Sequence, residues 1–485
     1  MNNSDVEQAD EIKEAMVDAE MSSSFSDMLE AENKKENLLS IILSDFLDGM
    51  NDLREAIYIS IPSIGKRHSS EIEKLEKEIA KYEDSSGKII FPVSDPHGAS
   101  KMLSAIENYS RIAKSNALEV LERSLFVGLF GQYDVFIGSL LRALYSIKPE
   151  LYKSISREIS LSDLLEFESL MAVKNDLLDK EIDSFKRESY IEQFGMLEKK
   201  FALPLRKFEE WSEFVELGQR RNLMTHTGGI VSEQYIILCE REGYQFKERP
   251  IIGSKLGLGQ PYFERSINLL SKVAFMLVHT LWRKIAPKQS EIANRSMNAN
   301  IYDLLKIKNW ALAAEFGRFA LSQIFIANCR EMDVRIRVVN TSIALSNLKK
   351  EKETFSLLEK FDWSACIREF KLADAVLRND SKKACEIMVS IGKKGELIEQ
   401  LSYHQWPLFY NFCDSKEFQD AYFSIYSIPY IEKSTQATIV GPIATQKIPP
   451  LKKRHAKKVA AIENLGVTDV VQSIPKRRKK IVAAI

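Results

Sequence analysis

Apolar residues recur three to four positions apart along most of the chain, which is the period of one face of an α-helix. The pattern covers residues 25–61, 72–82, 100–147 and 155–200, with short polar breaks between. Within the third stretch, "LERSLFVGLFGQYDVFIGSLLRALYSI" is apolar on most faces, so we expect it to lie buried inside a bundle. Its three glycines would allow a close helix approach or a kink; they are Gly128, Gly131 and Gly138.

Two breaks divide the N-terminal part of this pattern. "IPSIGKRH" at 61–68 predicts the end of the first helix, because proline removes a backbone donor. A second helix then begins with a capping box, formed by Ser70 and Glu73. Its apolar stripe indicates a surface helix lying on a core or, alternatively, a coiled-coil partner site. A loop rich in turn residues follows at 84–100.

A helix is predicted over 211–226 and ends at the glycine pair that follows it. Its buried face starts with Trp211, Phe214, Val215 and Gly218 and becomes polar over its last two turns. The apolar and β-branched residues of 230–246 then favour a short β-hairpin. The stretch 262–285 predicts another buried helix, ended by Pro287, in which His279 is interpreted as a satisfied core residue.

Short helices recur at intervals of 30 to 34 residues in 298–432, a period typical of helical-hairpin solenoids close to tetratricopeptide repeats. The predicted organisation is therefore an all-α protein made of a helical bundle with a β-hairpin insertion and an α-hairpin solenoid. The predicted regions are an acidic, partly disordered N-terminus (1–60), a helical lead-in (61–109), the bundle (110–287), the repeats (298–432) and a basic disordered tail (433–485).

Charge distribution is more informative than net charge, because Lys+Arg and Asp+Glu balance at 68 each. Residues 1–60 carry 15 acidic and 4 basic side chains, whereas 433–485 carry 12 basic and 2 acidic ones. The 5 scattered cysteines contain no CxxC pair, which favours a reducing cytoplasm. We expect no signal peptide and no membrane span, because the N-terminus is acidic and no run of about 18 apolar residues occurs.

The polar end of the 211–226 helix holds the chain's most suggestive chemistry, in "RRNLMTHTGG" at 220–229. Arg221 and Asn222 are followed by His226 in the last turn. Arginine binds phosphate through a planar fork, and histidine transfers a proton near neutral pH. Together they suit attack of a ribose 2′-OH on its neighbouring phosphate, which requires no metal or other cofactor. The alternative is that both side chains make only local bonds at a helix end.

One histidine is too few for a separate general acid and general base. A twofold homodimer with the two polar stripes face to face would supply two arginines and two histidines to one cleft. The six histidines of the chain have no zinc-ligand spacing, so we expect no metal site.

This stretch, followed by "VSEQY", resembles the HEPN superfamily of bundle ribonucleases, whose signature is Arg, a polar residue and then His. Arg221, Asn222 and His226 match that signature, and "LFGQYDVFIGSLLRALY" is similar to the first core helix of bacterial defence members. The resemblance covers about 110–287 and suggests that Asp134 is directed at the site. It implies a metal-independent, dimeric endoribonuclease of the toxin or antiphage abortive-infection type.

The sequence thus predicts an RNA-cleaving effector, with the repeats as a platform for a protein partner and the tail as an RNA-binding element. The alternative is a non-enzymatic adaptor that dimerises through the bundle and binds a protein or RNA. The tail itself could instead be a solubilising or targeting segment. Basic candidates for RNA contact are Arg220 and, in the tail, Lys452, Lys453, Arg454, Lys457, Lys458, Lys476, Arg477, Arg478, Lys479 and Lys480.

Overall fold

The computed structural model describes residues 37–84, 89–92, 94–327 and 329–431, and these residues form an all-α protein. The described residues contain no β-strand, only isolated bridges. The all-α class predicted from the sequence is therefore confirmed. Most of the predicted acidic region and the basic tail lie outside the described residues.

The helices follow one another with short connections. The first nine are α1 (Leu38–Ala80), α2 (Pro96–Ala113), α3 (Ala117–Ile147), α4 (Leu161–Leu165), α5 (Leu170–Arg187), α6 (Tyr190–Phe201), α7 (Trp211–His226), α8 (Glu233–Arg241) and α9 (Gln260–Ile285). The remaining helices of the described chain are α10 (Ser290–Lys306), α11 (Trp310–Ala320), α12 (Gln323–Ile326), α13 (Glu331–Asn347), α14 (Glu351–Leu358), α15 (Arg368–Leu377), α16 (Ser381–Ile391), α17 (Ser402–Gln405) and α18 (Lys416–Tyr426).

Helix α3 is the buried helix that its apolar sequence predicts. It packs against α1, α5, α7 and α9, and its aromatic residues Phe126, Phe130 and Tyr133 are fully buried. The helix runs without interruption from Ala117 to Ile147, so its glycines produce no break. Of these glycines, Gly138 lies against Ile182 of α5, whereas Gly128 and Gly131 face open space.

The predicted break at 61–68 is wrong, because α1 continues through Pro62 as one helix of 43 residues. Packing outweighs the local cost of the proline: Ile57 and Ile61 are buried before it, and Ile72 after it. The hydroxyls of neighbouring Ser60 and Ser63 donate to backbone carbonyls one turn earlier. The predicted capping box at Ser70 and Glu73 is also wrong, since both residues lie inside α1.

The C-terminal part of α1 packs against α2 as a helical pair. Ile72 and Ile79 of the predicted apolar stripe form a small separate core with Ala105, Tyr109 and Ile112. The stripe therefore covers a neighbouring helix of the same chain. Helix α2 begins at the predicted loop's end, where the Asp95 carboxylate accepts a hydrogen bond from the His97 amide (3.1 Å).

The predicted β-hairpin at 230–246 is wrong, because residues 233–241 form α8. Ser232 caps this helix by accepting a hydrogen bond from the amide of Tyr235 (3.2 Å). Tyr235, Ile236 and Cys239 are spaced for one helical face, and they are buried against Leu223 of α7. Helical burial of this face outweighs the β-propensity of the segment.

The C-terminal helices pair consecutively, α10 with α11, α13 with α14 and α15 with α16, and α16 packs on α18. Helices α10, α13 and α15 are each followed, two residues after their last residue, by a residue with positive φ in the short turn to the next helix. These residues are Lys308, Lys349 and Asn379. One apolar core of buried residues extends from Leu39 to Ile425. It joins the bundle to these pairs without an intervening linker, since α10 begins five residues after α9 ends.

One apolar window within 96–147 is long enough to cross a membrane, with a mean hydropathy of 1.4, and half of it is buried inside the protein. The core helix of a soluble protein has the same composition, so this window assigns no membrane contact.

His279 is fully buried in α9, as predicted. Its ring nitrogens make no close hydrogen bond, and the side chain of Asn300 is the one polar partner that acts on the ring in the described chain. The ring packs at the edge of Phe275 and parallel to Trp282. Burial, reinforced by the charges of Arg283 and Arg337, lowers the pKa of His279 to about 3. The folded protein therefore holds this imidazole neutral.

A His279→Leu variant should remove an acid-sensitive part of the stability. The folded-state pKa of His279 lies below its unfolded value of 6.5, so its contribution is complete above pH 6.5 and is lost as the pH falls towards 3. The loss should reach about 2 kcal/mol by pH 5. Urea unfolding of both proteins at pH 5 and pH 8 measures the difference. Parallel stability profiles for the two proteins would contradict this assignment.

Candidate functional site

The partly exposed seam between α3 and α7, which we call the groove, contains Arg221, Asn222 and Asp134. The two helices run antiparallel, because Arg221 lies beside Phe130 and Asp134, whereas Gly228 lies near Arg123. The helix predicted over 211–226 is present with those bounds. Its N-terminal half is buried on nearly all sides, and the face of Phe214 and Gly218 continues into half-buried Asn222 and exposed Thr225.

Arg221 is held loosely in this groove. Its Nη2 lies 3.7 Å from Oδ2 of Asp134, and its Nη1 donates to Oδ1 of Asn222 at 3.2 Å. The guanidinium stands 6.0 Å from the ring centre of Phe130. Its Nε is buried without a hydrogen-bond partner. With 28% of its side chain exposed, Arg221 can still bind an anion from solution.

Asp134 is fixed from its other side by Tyr190 of α6. The Tyr190 hydroxyl donates to Oδ1 of Asp134 at 3.1 Å, while Oδ2 faces Arg221. Burial raises the pKa of Asp134, and the charges of Arg221 and Lys186 and the Tyr190 hydrogen bond oppose this shift. The structure thus places Asp134 beside Arg221, as the resemblance suggests.

Sequence reasoning missed Tyr190, although Gly218 carries a signal for it. An added Cβ at Gly218 would lie 2.8 Å from the ring of Tyr190. The same ring stacks on Phe130 at 5.5 Å. A glycine in the middle of α7 therefore lets Tyr190 approach the helix closely enough to reach Asp134.

His226 occupies the last position of α7 and is exposed. The helix ends there because Gly228 and Gly229 adopt positive φ angles of 63° and 89°. The amides of Thr227 and Gly229 both donate to the carbonyl of Leu223 (2.9 and 3.0 Å). The turn is fixed by glycine's conformation, and it presents the imidazole to solvent.

Arg221 and His226 point to different sides of α7 within one chain. Five residues separate them, which corresponds to about 140° around the axis and about 7.5 Å along it. Arg221 faces α3, whereas His226 faces solvent. Within one chain the two side chains are therefore directed to different parts of the surface.

Arg220, predicted from the sequence as an RNA-contacting residue, makes its contacts within the protein. Its Nε donates to Oε1 of Glu216 at 2.8 Å, and its guanidinium stacks 4.0 Å from the ring of Tyr262. Glu216 is buried and also accepts hydrogen bonds from the hydroxyls of Tyr235 (2.6 Å) and Tyr262 (2.9 Å). This network connects α7, α8 and α9.

Two further cations lie near the groove. Arg123 is close to Gly228 at the end of α7, and Lys186 contributes to the electrostatic environment of Asp134. The candidate RNA-contacting residues of the tail lie outside the described residues. No group of three or more His, Cys, Asp or Glu side chains in the described part of the chain is arranged to hold a metal ion.

In comparisons with protein-family models, curated proteins and solved structures, the chain matches none of them.

Substitution of the two neighbouring arginines should lower stability by very different amounts. Arg220→Ala leaves the buried Glu216 carboxylate without its cation, which should cost about 3–5 kcal/mol. Arg221→Ala removes only a half-exposed pair at 3.7 Å, which should cost about 0–1 kcal/mol. Urea unfolding of both variants at pH 7 measures the costs. A loss for Arg221→Ala equal to that for Arg220→Ala would make Arg221 a structural residue.

Proposed function

We propose that the protein is a metal-independent endoribonuclease of the HEPN type, acting as a homodimer. The main observation in support is the state of Arg221, whose guanidinium lies in a groove with a long ion pair and a buried, unpaired Nε. Arg220, by contrast, pairs with the buried Glu216 carboxylate at 2.8 Å. An RNA phosphate would supply acceptors for the terminal nitrogens of the partly exposed Arg221 guanidinium.

In this proposal Arg221 binds the scissile phosphate and stabilises the negative charge that develops on phosphorus. Asp134 and Tyr190 orient the guanidinium without neutralising it fully, because the Arg221–Asp134 distance is 3.7 Å. Asn222, which accepts from Arg221, holds the planar fork in the groove. Asp134 and Tyr190 are therefore positioning residues.

The reaction begins when a general base removes the proton of the ribose 2′-OH. The 2′-oxygen bonds to phosphorus, the bond from phosphorus to the 5′-oxygen breaks, and a general acid protonates that leaving oxygen. The products are a 2′,3′-cyclic phosphate and a 5′-OH. His226 is exposed at the C-terminal end of α7, and in this proposal the two His226 side chains of a dimer supply the base and the acid.

The uncovered face of α3 supports a dimer at this position. The residues on this face lie within about 120° of Asp134 around the helix axis. They are small or β-branched: Val120, Ser124, Gly128, Gly131 and Val135. Val120 and Val135 are 47% and 66% exposed, and a Cβ added at either glycine would meet nothing within 4 Å. A twofold copy packed here would bring a second α7 to the groove.

We propose that the cellular role is that of a toxin or antiphage effector, with the helical pairs after α9 binding a protein partner. The tail, with 12 basic residues, would add phosphate contacts and hence salt-dependent RNA affinity. The alternative is an adaptor that dimerises and binds RNA or protein without cleaving. Only the ribonuclease requires an arginine at position 221 and a histidine at position 226, because the adaptor performs no chemistry.

Arg221→Ala and His226→Ala should each abolish cleavage of a labelled RNA pool in EDTA, with a loss of at least about a hundredfold. Wild-type products should carry 2′,3′-cyclic phosphate ends, because the nucleophile belongs to the substrate. Gel analysis with end-group mapping measures both outcomes. Overexpression should slow growth for the wild type alone.

His97→Ala is a suitable control for this cleavage experiment, since it alters an exposed histidine on α2, away from α7. Cleavage by Arg221→Ala or His226→Ala at the wild-type rate would refute the catalytic assignment. A magnesium requirement or 5′-phosphate products would indicate hydrolysis through a metal-activated water instead.

Val135→Arg should convert the dimer to a monomer, because it places two cations at the twofold contact. Light scattering from low to high micromolar concentration should give half the wild-type mass, and cleavage should be lost together with the dimer. Val389→Arg is the matched control, since Val389 is 54% exposed on α16. A wild-type protein that is monomeric and still cleaves RNA would overturn the dimer proposal.

A further inference from the structure

A cavity of about 390 Å³ opens among the C-terminal helices, remote in sequence from the groove. Its walls come from α10, α13 and α15 and from the segment 397–406, which contains α17. Three aromatic side chains line it, Tyr302, Phe370 and Trp406. A concave aromatic site with a few polar groups is typical of a binding site.

Two largely buried polar residues in this cavity keep hydrogen-bonding atoms for a ligand. Asn340 is 4% exposed, and its amide makes no hydrogen bond with any described residue. Glu369 is 2% exposed; its Oε1 accepts from the amides of Glu396 (2.5 Å) and Leu397 (3.0 Å), while Oε2 accepts from none of the described residues. Since neither residue is among those with fully enclosed unpaired atoms, a ligand in the cavity can reach both groups.

The loop beside Glu369 is shaped around its carboxylate. An added Cβ at Gly395 would lie 2.2 Å from Oε1 of Glu369. The backbone therefore approaches closely enough to donate two amides to one oxygen. This leaves the second oxygen free of these amides, on a residue that lines the cavity.

The chemistry of the cavity favours a cationic ligand. No Lys, Arg or His is among its lining residues in the described chain, whereas Glu369 supplies a buried negative charge. Aromatic faces attract ammonium and guanidinium groups. The Asn340 amide can bond the polar backbone beside such a side chain. A lysine or arginine of a peptide meets all these conditions, whereas a phosphate-bearing ligand would meet uncompensated repulsion from Glu369.

We propose that this cavity binds a basic side chain of the chain's own C-terminal tail, from the cluster "KKRHAKK" at 452–458. The described chain ends at Ile431, next to the cavity wall: Tyr430 stacks on His404 of α17 at 4.5 Å. About twenty residues connect this point to the cluster, and an extended chain of that length spans roughly 65 Å. Charge, reach and point of exit thus all favour the tail.

A photo-crosslinker at the rim of the cavity tests this contact in the full-length protein. Ala299 is an exposed lining residue, so Ala299→benzoylphenylalanine introduces the probe without disturbing the core. Mass spectrometry should find cross-links to tryptic peptides from 447–460. Ser356→benzoylphenylalanine on exposed α14 surface is the control and should give none. A mixture of isotopically heavy and light protein distinguishes links within one chain from links between two.

Glu369→Gln should lower the cross-link yield about tenfold, because it removes a charge-assisted hydrogen bond while keeping an acceptor for the two amides. Glu359→Gln, at an exposed carboxylate, should leave the yield unchanged. If Glu369→Gln fails to fold, replacing the five cations of 452–458 by Ser in the full chain tests the same contact. The proposal would be overturned if no tail cross-links form, or if they form only between chains. It would also be overturned if neither Glu369→Gln nor the serine replacements lower their yield. None of these readouts depends on RNA cleavage.

Discussion

The rotation of α7 depends on one buried carboxylate. Glu216 accepts hydrogen bonds from Arg220, Tyr235 and Tyr262, and these partners come from its own helix, α8 and α9. A buried anion with three donors has few alternative arrangements, because each lost partner leaves a desolvated polar group. Since Arg220 is thereby directed inwards, Arg221, about 100° further round the helix, faces α3. The network thus fixes the groove without forming part of it.

The fold could be predicted wherever one segment buries one continuous apolar face. Helix α7 ends as expected at the Gly228–Gly229 pair, and α3 is buried as its composition requires. Prediction failed where tertiary contacts outweigh local preference. Pro62 predicts a helix end, yet buried residues on both sides keep α1 continuous. Residues 233–241 have β-propensity, yet they form a helix, in which the Tyr235 hydroxyl donates a hydrogen bond to the buried Glu216 carboxylate.

The candidate site was predictable only in part. Arg221, Asn222 and His226 stand together in the sequence, and the helical period places them near one helix end. Tyr190 could not be found this way, since it reaches Asp134 from α6 across a gap of 56 residues. Arg220 and Arg221 are identical in type and adjacent, yet their surroundings differ completely. Sequence alone does not reveal which arginine is satisfied internally, because this depends on partners from other helices.

The proposed RNA site and the proposed tail site compete for the same cations. A lysine bound at Glu369 cannot at the same time contact phosphate. The tail's contribution to RNA affinity would therefore scale with the fraction of molecules whose tail is undocked. Salt acts unequally on the two contacts, because exposed phosphate contacts are screened more than a pair at a buried carboxylate. Rising ionic strength would therefore weaken the phosphate contacts more than the docked pair. Because salt also releases part of the docked tail, the salt dependence of RNA affinity would be shallower than release of counterions from the tail contacts alone produces.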